Sequence, residues 1–133
     1  MPDIRDALAF DDLLSTWEQN YKKGLLTFWL LLILHEREAY AFEASALVAQ
    51  FSQGTLSADE NSIYRALNRF EGLAIVTSSR HESGVGPPRR YYKLSERGRV
   101  LLRAFIERNL LLFQTEPTAS RIRAVLDGSQ ASG

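Results

Sequence analysis

The stretch GPPRRYYKLSERG, residues 86–98, decides the fold of this chain. Gly86 and the two prolines after it predict a loop, because glycine adopts turn conformations and proline lacks a backbone N–H. The segment Arg90 to Leu94 contains a Tyr-Tyr pair and predicts a β-strand. Ser95 is a typical helix N-cap residue, so we expect a helix to begin at Glu96.

The other half of a β-hairpin lies upstream of this stretch. Residues 75–81, IVTSSRH, contain β-branched residues with partial alternation, which predicts a first strand. Residues 82–89 then form the loop between the two strands. Further upstream, apolar residues at helical spacing predict a helix over residues 40–51 and another from about residue 58.

Capping and turn residues set the expected limits of the helix that begins at about residue 58. Ser57 and Glu60 match a capping box, in which each side chain bonds the backbone amide of the other residue. Gly54 is expected to provide the turn before the helix, and Gly72 is expected to terminate it.

The two ends of the chain are also predicted to be helical. Residues 4–16 predict a short acidic helix, and residues 17–36 predict a long helix that is apolar nearly all round in its second half. The last long helix is expected over residues 96–114, with Pro117 beyond its end. One more short helix is expected near residues 122–126.

In this order the elements predict a mainly α fold with a small β-hairpin, a winged helix-turn-helix with a long C-terminal dimerisation helix. We expect an acidic N-terminal helical extension over residues 1–21 and a winged helix-turn-helix domain over residues 22–95. A C-terminal dimerisation helix and short tail helix follow over residues 96–127, and a disordered tail over residues 128–133. A homodimer is expected because the second and last helices present more apolar surface than one small core can cover.

The composition narrows the classes of function. The 133 residues contain no cysteine, which excludes disulfides and thiolate metal sites and fits a cytoplasmic protein. The longest apolar run, residues 24–34, is shorter than the ~20 residues that a membrane span needs. His35 and His81 are the only histidines and fall in different predicted elements, and no glycine-rich phosphate loop is present. We therefore expect no enzyme activity, no metal and no cofactor.

The charges are unevenly distributed although the formal net charge is zero. Residues 1–20 carry five acids and one base, whereas residues 58–100 carry eight bases and five acids. A local excess of positive charge is what binding to phosphates requires. An ordinary solvated surface is the alternative.

The helix expected from about residue 58 has one apolar side and one polar side. Ile63, Leu67 and Phe70 fall in one narrow stripe at helical spacing, which predicts a core face. The opposite side has no acid between Asn61 and Phe70, and it carries Asn61, Arg65 and Asn68, flanked by Ser62, Tyr64 and Arg69. Arginine pairs with guanine and asparagine with adenine, while hydroxyls bond phosphate oxygens. We expect this side to face DNA.

The hairpin adds basic residues beside that helix. Arg80 and His81 lie near the end of the first strand, and the return strand carries Arg89, Arg90 and Lys93. A basic hairpin next to a helix-turn-helix can bond the phosphates that flank a groove, or enter the minor groove. An ordinary hairpin with a charged tip is the alternative.

Over residues 22–113 the sequence resembles the PadR-like family of transcriptional regulators. The stretch from Gly86 to Gly98 is similar to that family's Gly-Pro-Pro-Arg-(Lys/Arg)-Tyr-Tyr wing signature. Residues 57–71 resemble its recognition helix, with Arg65 where the family has proline, and residues 39–43 resemble the start of its second helix. The resemblance implies a winged-helix dimer formed through the last helix. It also implies transcriptional repression that a small aromatic or drug-like ligand relieves.

These observations predict a sequence-specific DNA-binding transcriptional regulator, a repressor that binds double-stranded DNA as a homodimer. The alternative is a winged-helix module that binds a protein partner and has little affinity for DNA; the zero net charge and the acidic N-terminus favour it. The expected DNA-binding residues are Tyr40, Asn61, Ser62, Tyr64, Arg65, Asn68, Arg69, Arg89, Arg90 and Lys93.

An effector site is expected near the dimer interface. Phe28 and Trp29 from the second helix, with Phe105 or Phe113 from the last, offer flat apolar walls to a small aromatic ligand. The alternative is that all four side chains are core residues.

Overall fold

The computed structural model describes residues 4–82 and 84–128, with side chains from residue 9 onward. Its elements, in chain order, are α1 (Ile4–Lys23), α2 (Leu25–Glu36), α3 (Ala41–Phe51), α4 (Glu60–Gly72), β1 (Val76–His81), β2 (Arg89–Leu94), α5 (Glu96–Phe105), a π-helical turn (Ile106–Leu110), α6 (Leu111–Gln114) and α7 (Thr118–Leu126). The predicted mainly α fold with one hairpin is confirmed.

The hairpin has the predicted strands to within one residue. β1 and β2 pair antiparallel, with Val76 opposite Leu94 and His81 opposite Arg89. Ala39, just before α3, adds a short bridge to β2, because its N–H donates to the carbonyl of Tyr92 at 3.0 Å and its carbonyl accepts from the Tyr92 N–H at 2.8 Å. The start of α3 is therefore fastened to the second strand.

The core lies between α2, α3, α4 and the hairpin. The predicted apolar stripe of α4, Ile63, Leu67 and Phe70, is buried as expected. The other buried side chains come mainly from α2 and α3, and Tyr92 of β2 is 1% exposed. Burial of such side chains stabilises the fold by roughly 1.5–3 kcal/mol each before entropy is counted.

The first two helices divide at a different residue from the one predicted. α1 continues through Trp17 to Lys23, and the chain turns at Gly24 before α2 begins. Glycine is a poor helix former, and the chain changes from polar to apolar at this same residue, so Gly24 is the physical boundary. The polar residues 17–23, which we expected at the start of the second helix, therefore belong to α1.

The start of α4 also differs from the prediction. The capping box of Ser57 and Glu60 does not form, because Glu60 is already the first helical residue. Asp59 caps the helix instead, and its Oδ1 accepts from the Ser62 backbone N–H at 2.7 Å. Aspartate accepts as well as serine at an N-cap, so the helix begins two residues later than predicted with an equivalent cap.

Gly72, the predicted terminator, is the last residue of α4, and the residue in the left-handed conformation beyond the helix is Ala74. Ala74 has φ 62°, its N–H donates to the carbonyl of Glu71 at 3.0 Å, and the Ile75 N–H donates to Phe70 at 3.0 Å. These two bonds are the pattern of a Schellman helix end. They turn the chain directly into β1.

Helical structure continues without a break from Glu96 to Gln114, as predicted, with a π-helical turn in the middle. Ser95 caps this helix, because its hydroxyl accepts from the Gly98 N–H at 3.0 Å. The predicted short helix is present as α7. Of the tail predicted to be disordered, Gly128 lies in a turn, and residues 129–133 fall outside the described residues.

Candidate nucleic-acid interface

The outer side of α4 is open to solvent along its length. Asn61, Tyr64, Arg65, Asn68 and Arg69 are all exposed on the side away from the buried stripe. An α-helix with side chains of this size fits the major groove of B-DNA, which is about 12 Å wide. The structure therefore brings five of the ten predicted DNA-binding residues onto one surface.

Ser62 lies beside this surface but already has a partner. Its hydroxyl donates to Asp59 Oδ2 at 3.1 Å. The hydrogen bonds from the backbone and hydroxyl of Ser62 lower the pKa of Asp59, which therefore stays ionised as the helix cap. A phosphate oxygen accepts hydrogen bonds only, so Ser62 has to release Asp59 before its hydroxyl can donate to DNA.

Asn68 is oriented by the hairpin. The buried Tyr92 hydroxyl donates to Asn68 Oδ1 at 3.4 Å, which leaves the amide N–H groups of Asn68 to point elsewhere. Desolvation raises the pKa of Tyr92, so this hydroxyl keeps its proton. The contact was not predicted; neighbouring residues of a strand point to opposite faces, and Tyr92 is the member of the tyrosine pair that packs on the core.

The hairpin presents one face to α4, and Glu71 occupies the centre of that contact. Arg90 Nη1 lies 3.4 Å from Glu71 Oε1, and the Ser78 hydroxyl donates to Glu71 Oε2. Glu71 is thus an acidic partner of a wing residue that we expected to bind phosphates. It offsets part of the charge of Arg90 and fixes the Arg90 side chain against the end of α4.

The opposite face of the hairpin forms an aromatic cluster with the start of α3, which we call the wing-root cluster: Tyr40, Phe42, His81, Arg89 and Tyr91. The Arg89 guanidinium lies 4.7 Å from the centre of the Tyr40 ring, and the Tyr40 and Tyr91 rings meet edge to face at 5.2 Å. His81 and Phe42 extend the cluster, at 4.6 Å from Tyr91 and 6.4 Å from Tyr40.

The wing-root cluster brings together two of the predicted DNA-binding residues, Tyr40 and Arg89. Phe42 and Tyr91 were not predicted as their neighbours. The signal for Tyr91 was available, since residues two apart in a strand share a face and Arg89 and Tyr91 are two apart. Lys93 follows on the same face and is exposed.

Three of the four predicted effector residues meet in one place. The Phe28 ring lies 5.0 Å from the Trp29 ring and 6.0 Å from the Phe105 ring, at the contact between α2 and α5. Phe28 and Phe105 line a cavity of about 140 Å³, which is smaller than the ~300 Å³ of ordinary ligand pockets. Phe113 is half exposed on α6 and does not line this cavity.

Residues 4–82 and 84–128 contain neither a metal-binding cluster nor a membrane-spanning helix. No group of three or more histidine, aspartate and glutamate side chains is placed to hold a metal ion there. None of the helices in these residues has the length and apolar character needed to span a membrane.

Several solved structures similar to this chain are PadR-type transcriptional regulators. A PadR family transcriptional regulator from Eggerthella lenta is 26% identical with a TM-score of 0.66, over 80% of this chain and 91% of that one. A PadR-like transcription factor from Bacteroides fragilis is 27% identical with a TM-score of 0.61, over 80% and 98%. Bacillus subtilis PadR in complex with operator DNA shares the fold at 18% identity, with a TM-score of 0.60, over 80% and 60%.

No curated protein sequence matches the chain significantly. The sequence profile of the transcriptional regulator PadR-like family matches residues 30–104, which are more than half of the chain. The matched segment begins within α2 and ends within α5, so it contains α3, α4 and the complete hairpin. The chain therefore belongs to the transcriptional regulator PadR-like family.

Proposed function

We propose that this protein is a homodimeric, sequence-specific DNA-binding repressor that places α4 in the major groove. The observation that carries the proposal is the outer side of α4, where Asn61, Arg65, Asn68 and Arg69 are exposed together with no acid among them. Arginine and asparagine are the side chains that pair with purine edges in two-bond geometry. The fold shared with Bacillus subtilis PadR, which has been solved in complex with operator DNA, supports the same orientation.

The wing has the second role in this proposal. Arg89, Arg90 and Lys93 follow one another along β2 and bind the phosphates beside the groove, while Tyr40 and Tyr64 offer hydroxyls at its edges. Contacts to phosphates position the protein without selecting sequence. Acting on chromosomal DNA, the protein works in the cytoplasm.

The test selects an operator from a pool of random duplexes and compares its affinity with that of a scrambled duplex at several salt concentrations. We expect a steep fall of log affinity with log salt on both duplexes, and tighter binding to the selected one. A flat salt response contradicts DNA binding. It favours the alternative, a winged-helix module for a protein partner, which the zero net charge supports.

The proposal includes release of the operator by a small aromatic ligand beside Phe28, Trp29 and Phe105, with Phe113 supplied across the dimer interface. The cavity of about 140 Å³ in one chain needs a second wall to hold such a ligand. We expect planar aromatic compounds to quench tryptophan fluorescence in the native protein and in Trp17→Leu, but not in Trp29→Leu. A compound that quenches without releasing operator DNA contradicts the regulatory role.

A further inference from the structure

α1 carries an apolar stripe that its own chain leaves open. Phe10, Leu13, Leu14, Trp17 and Tyr21 recur at helical spacing and lie within about 100° around the helix axis. All five are exposed, and Trp17 is 74% exposed. α1 meets the rest of the described chain mainly at its junction with α2. An apolar stripe of this extent marks an interaction surface on a protein in water.

The charges beside the stripe are mainly negative, although Lys22 lies on the same border with its Nζ 4.0 Å from Glu18 Oε2. Between Ala9 and Tyr21 the helix contains Asp11, Asp12 and Glu18 and no basic residue. At 100° per residue, Asp11 and Glu18 lie side by side along one border of the stripe. Such a helix is repelled by anionic lipid surfaces, which bind helices with basic borders. The stripe of α1 therefore fits an apolar partner surface that is flanked by positive charges.

The other end of the chain has a surface of that kind. Ile122, Val125 and Leu126 form the apolar stripe of α7, and Val125 and Leu126 are 79% and 80% exposed. Arg121 and Arg123 are exposed and lie about 100° to either side of Ile122. α7 packs mainly on α6, which leaves its stripe open in the single chain.

We propose that the stripe of α1 docks on the stripe of α7 in a second copy of this chain, with the acidic border of α1 beside one of the two arginines that flank the stripe of α7. The folded chain keeps its own two stripes open, so neither covers the other within one copy. In a two-fold symmetric pair each copy supplies one stripe of each kind, and both contacts form at once. The inference rests on the proposed homodimer and adds a second contact to it.

Tryptophan fluorescence tests whether α1 docks. In Trp29→Phe the remaining indole is Trp17, and we expect blue-shifted emission, as from a buried indole. Adding Val125→Asp should return the emission to that of an indole in water, because a charge inside the stripe opposes docking. Val85→Asp, a matched change at the exposed loop of the hairpin, should leave the emission blue-shifted. Emission of a water-exposed indole in Trp29→Phe itself overturns the proposal.

Cross-linking tests whether docking joins two copies. Because the chain has no cysteine, Leu13→Cys and Val125→Cys each introduce a single thiol. The two variants carry tags of different size and are mixed, and a short bis-maleimide should then form cross-linked heterodimers. A control mixture of Leu13→Cys with Gln50→Cys should form none. A variant that carries both Leu13→Cys and Val125→Cys separates the two arrangements. Cross-links found only within one chain of this double variant overturn docking between copies.

Light scattering and DNA binding on the same samples separate this inference from the proposed function. A dimer that binds its operator while Trp17 stays in water overturns the docking of α1 alone. A monomer at micromolar concentration overturns both the homodimer and the docking.

Discussion

The backbone of Gly98 lies so close to the carbonyl oxygen of Ile75 that a Cβ atom at residue 98 would overlap it. This contact joins the start of α5 to the residue that follows the end of α4. Two further bonds reinforce it, since the Ser95 N–H donates to Ile75 at 3.1 Å and the Ser95 hydroxyl donates to Ala74 at 2.7 Å. The glycine three residues after the serine is therefore a packing requirement.

We predict that Gly98→Ala destabilises the protein by roughly 1–3 kcal/mol, because the backbone must move to admit a methyl group. The matched control is Gly72→Ala, at a helical glycine where an added Cβ meets no atom within 4 Å. That change should stabilise the protein by about 0.5–1 kcal/mol, the helix preference of alanine over glycine. Urea unfolding at one fixed protein concentration measures both, and equal effects would contradict the packing argument.

We predict that Arg65→Ala costs about 1–3 kcal/mol of operator affinity and relaxes the preference at one base position. The reason is that Arg65 lies at the middle of the exposed side of α4. Binding to the selected operator and to single-base variants measures it, with Arg99→Ala on α5 as a charge-matched control. An equal loss on operator and scrambled DNA would show that Arg65 does not select bases.

We predict that Arg90→Ala weakens binding to operator and scrambled DNA equally and lowers the salt slope by about one unit. The wing contacts phosphates in the proposed arrangement, and phosphates are the same in every sequence. Glu71→Gln is the informative control, because it removes the carboxylate 3.4 Å from Arg90 while keeping its shape. Tighter binding of Glu71→Gln to scrambled DNA is expected, and weaker binding would contradict the role given to this charge.

We predict that the protein loses stability above about pH 10 through the Tyr92 hydroxyl. Desolvation raises the pKa of Tyr92 in the folded state, so the unfolded chain releases this proton first as pH rises. The stabilisation is present below the unfolded pKa and is lost as pH rises from there through the raised folded pKa. Unfolding free energies between pH 8 and pH 11 should fall less steeply in Tyr92→Phe, and parallel curves would disprove the assignment.

Most of the fold could be predicted because its elements have local signals. The alternation in the hairpin, the apolar stripe of α4 and the cap at Ser95 are properties of neighbouring residues. The boundary between α1 and α2 was placed wrongly because the predicted helix over residues 17–36 ran through Gly24, although the chain changes from polar to apolar there. The turn at Ala74, which follows α4, has no local signal in the sequence. Alanine adopts a positive φ only where tertiary contacts hold it there.

The exposed side of α4 was predictable for the same reason, because it lies opposite a stripe that the sequence already shows. The wing-root cluster and the Arg90–Glu71 pair were not predictable in this way. Both join residues far apart in the chain, and Glu71 and Arg90 are 19 positions apart. Such contacts depend on how the hairpin packs against α3 and α4, which periodicity does not determine.

The bonds between Ser95, Ala74 and Ile75 also limit how the protein can adapt to DNA. They fasten α5 to the end of α4, so the direction of α5 determines the direction of α4. In the proposed homodimer, the angle at which the two last helices cross would then set the distance between the two recognition helices. A rotation of a few degrees at that crossing would move both helices out of phase with the turns of the duplex. Operators with one fixed separation between half-sites are therefore expected, and a single inserted base pair should abolish binding.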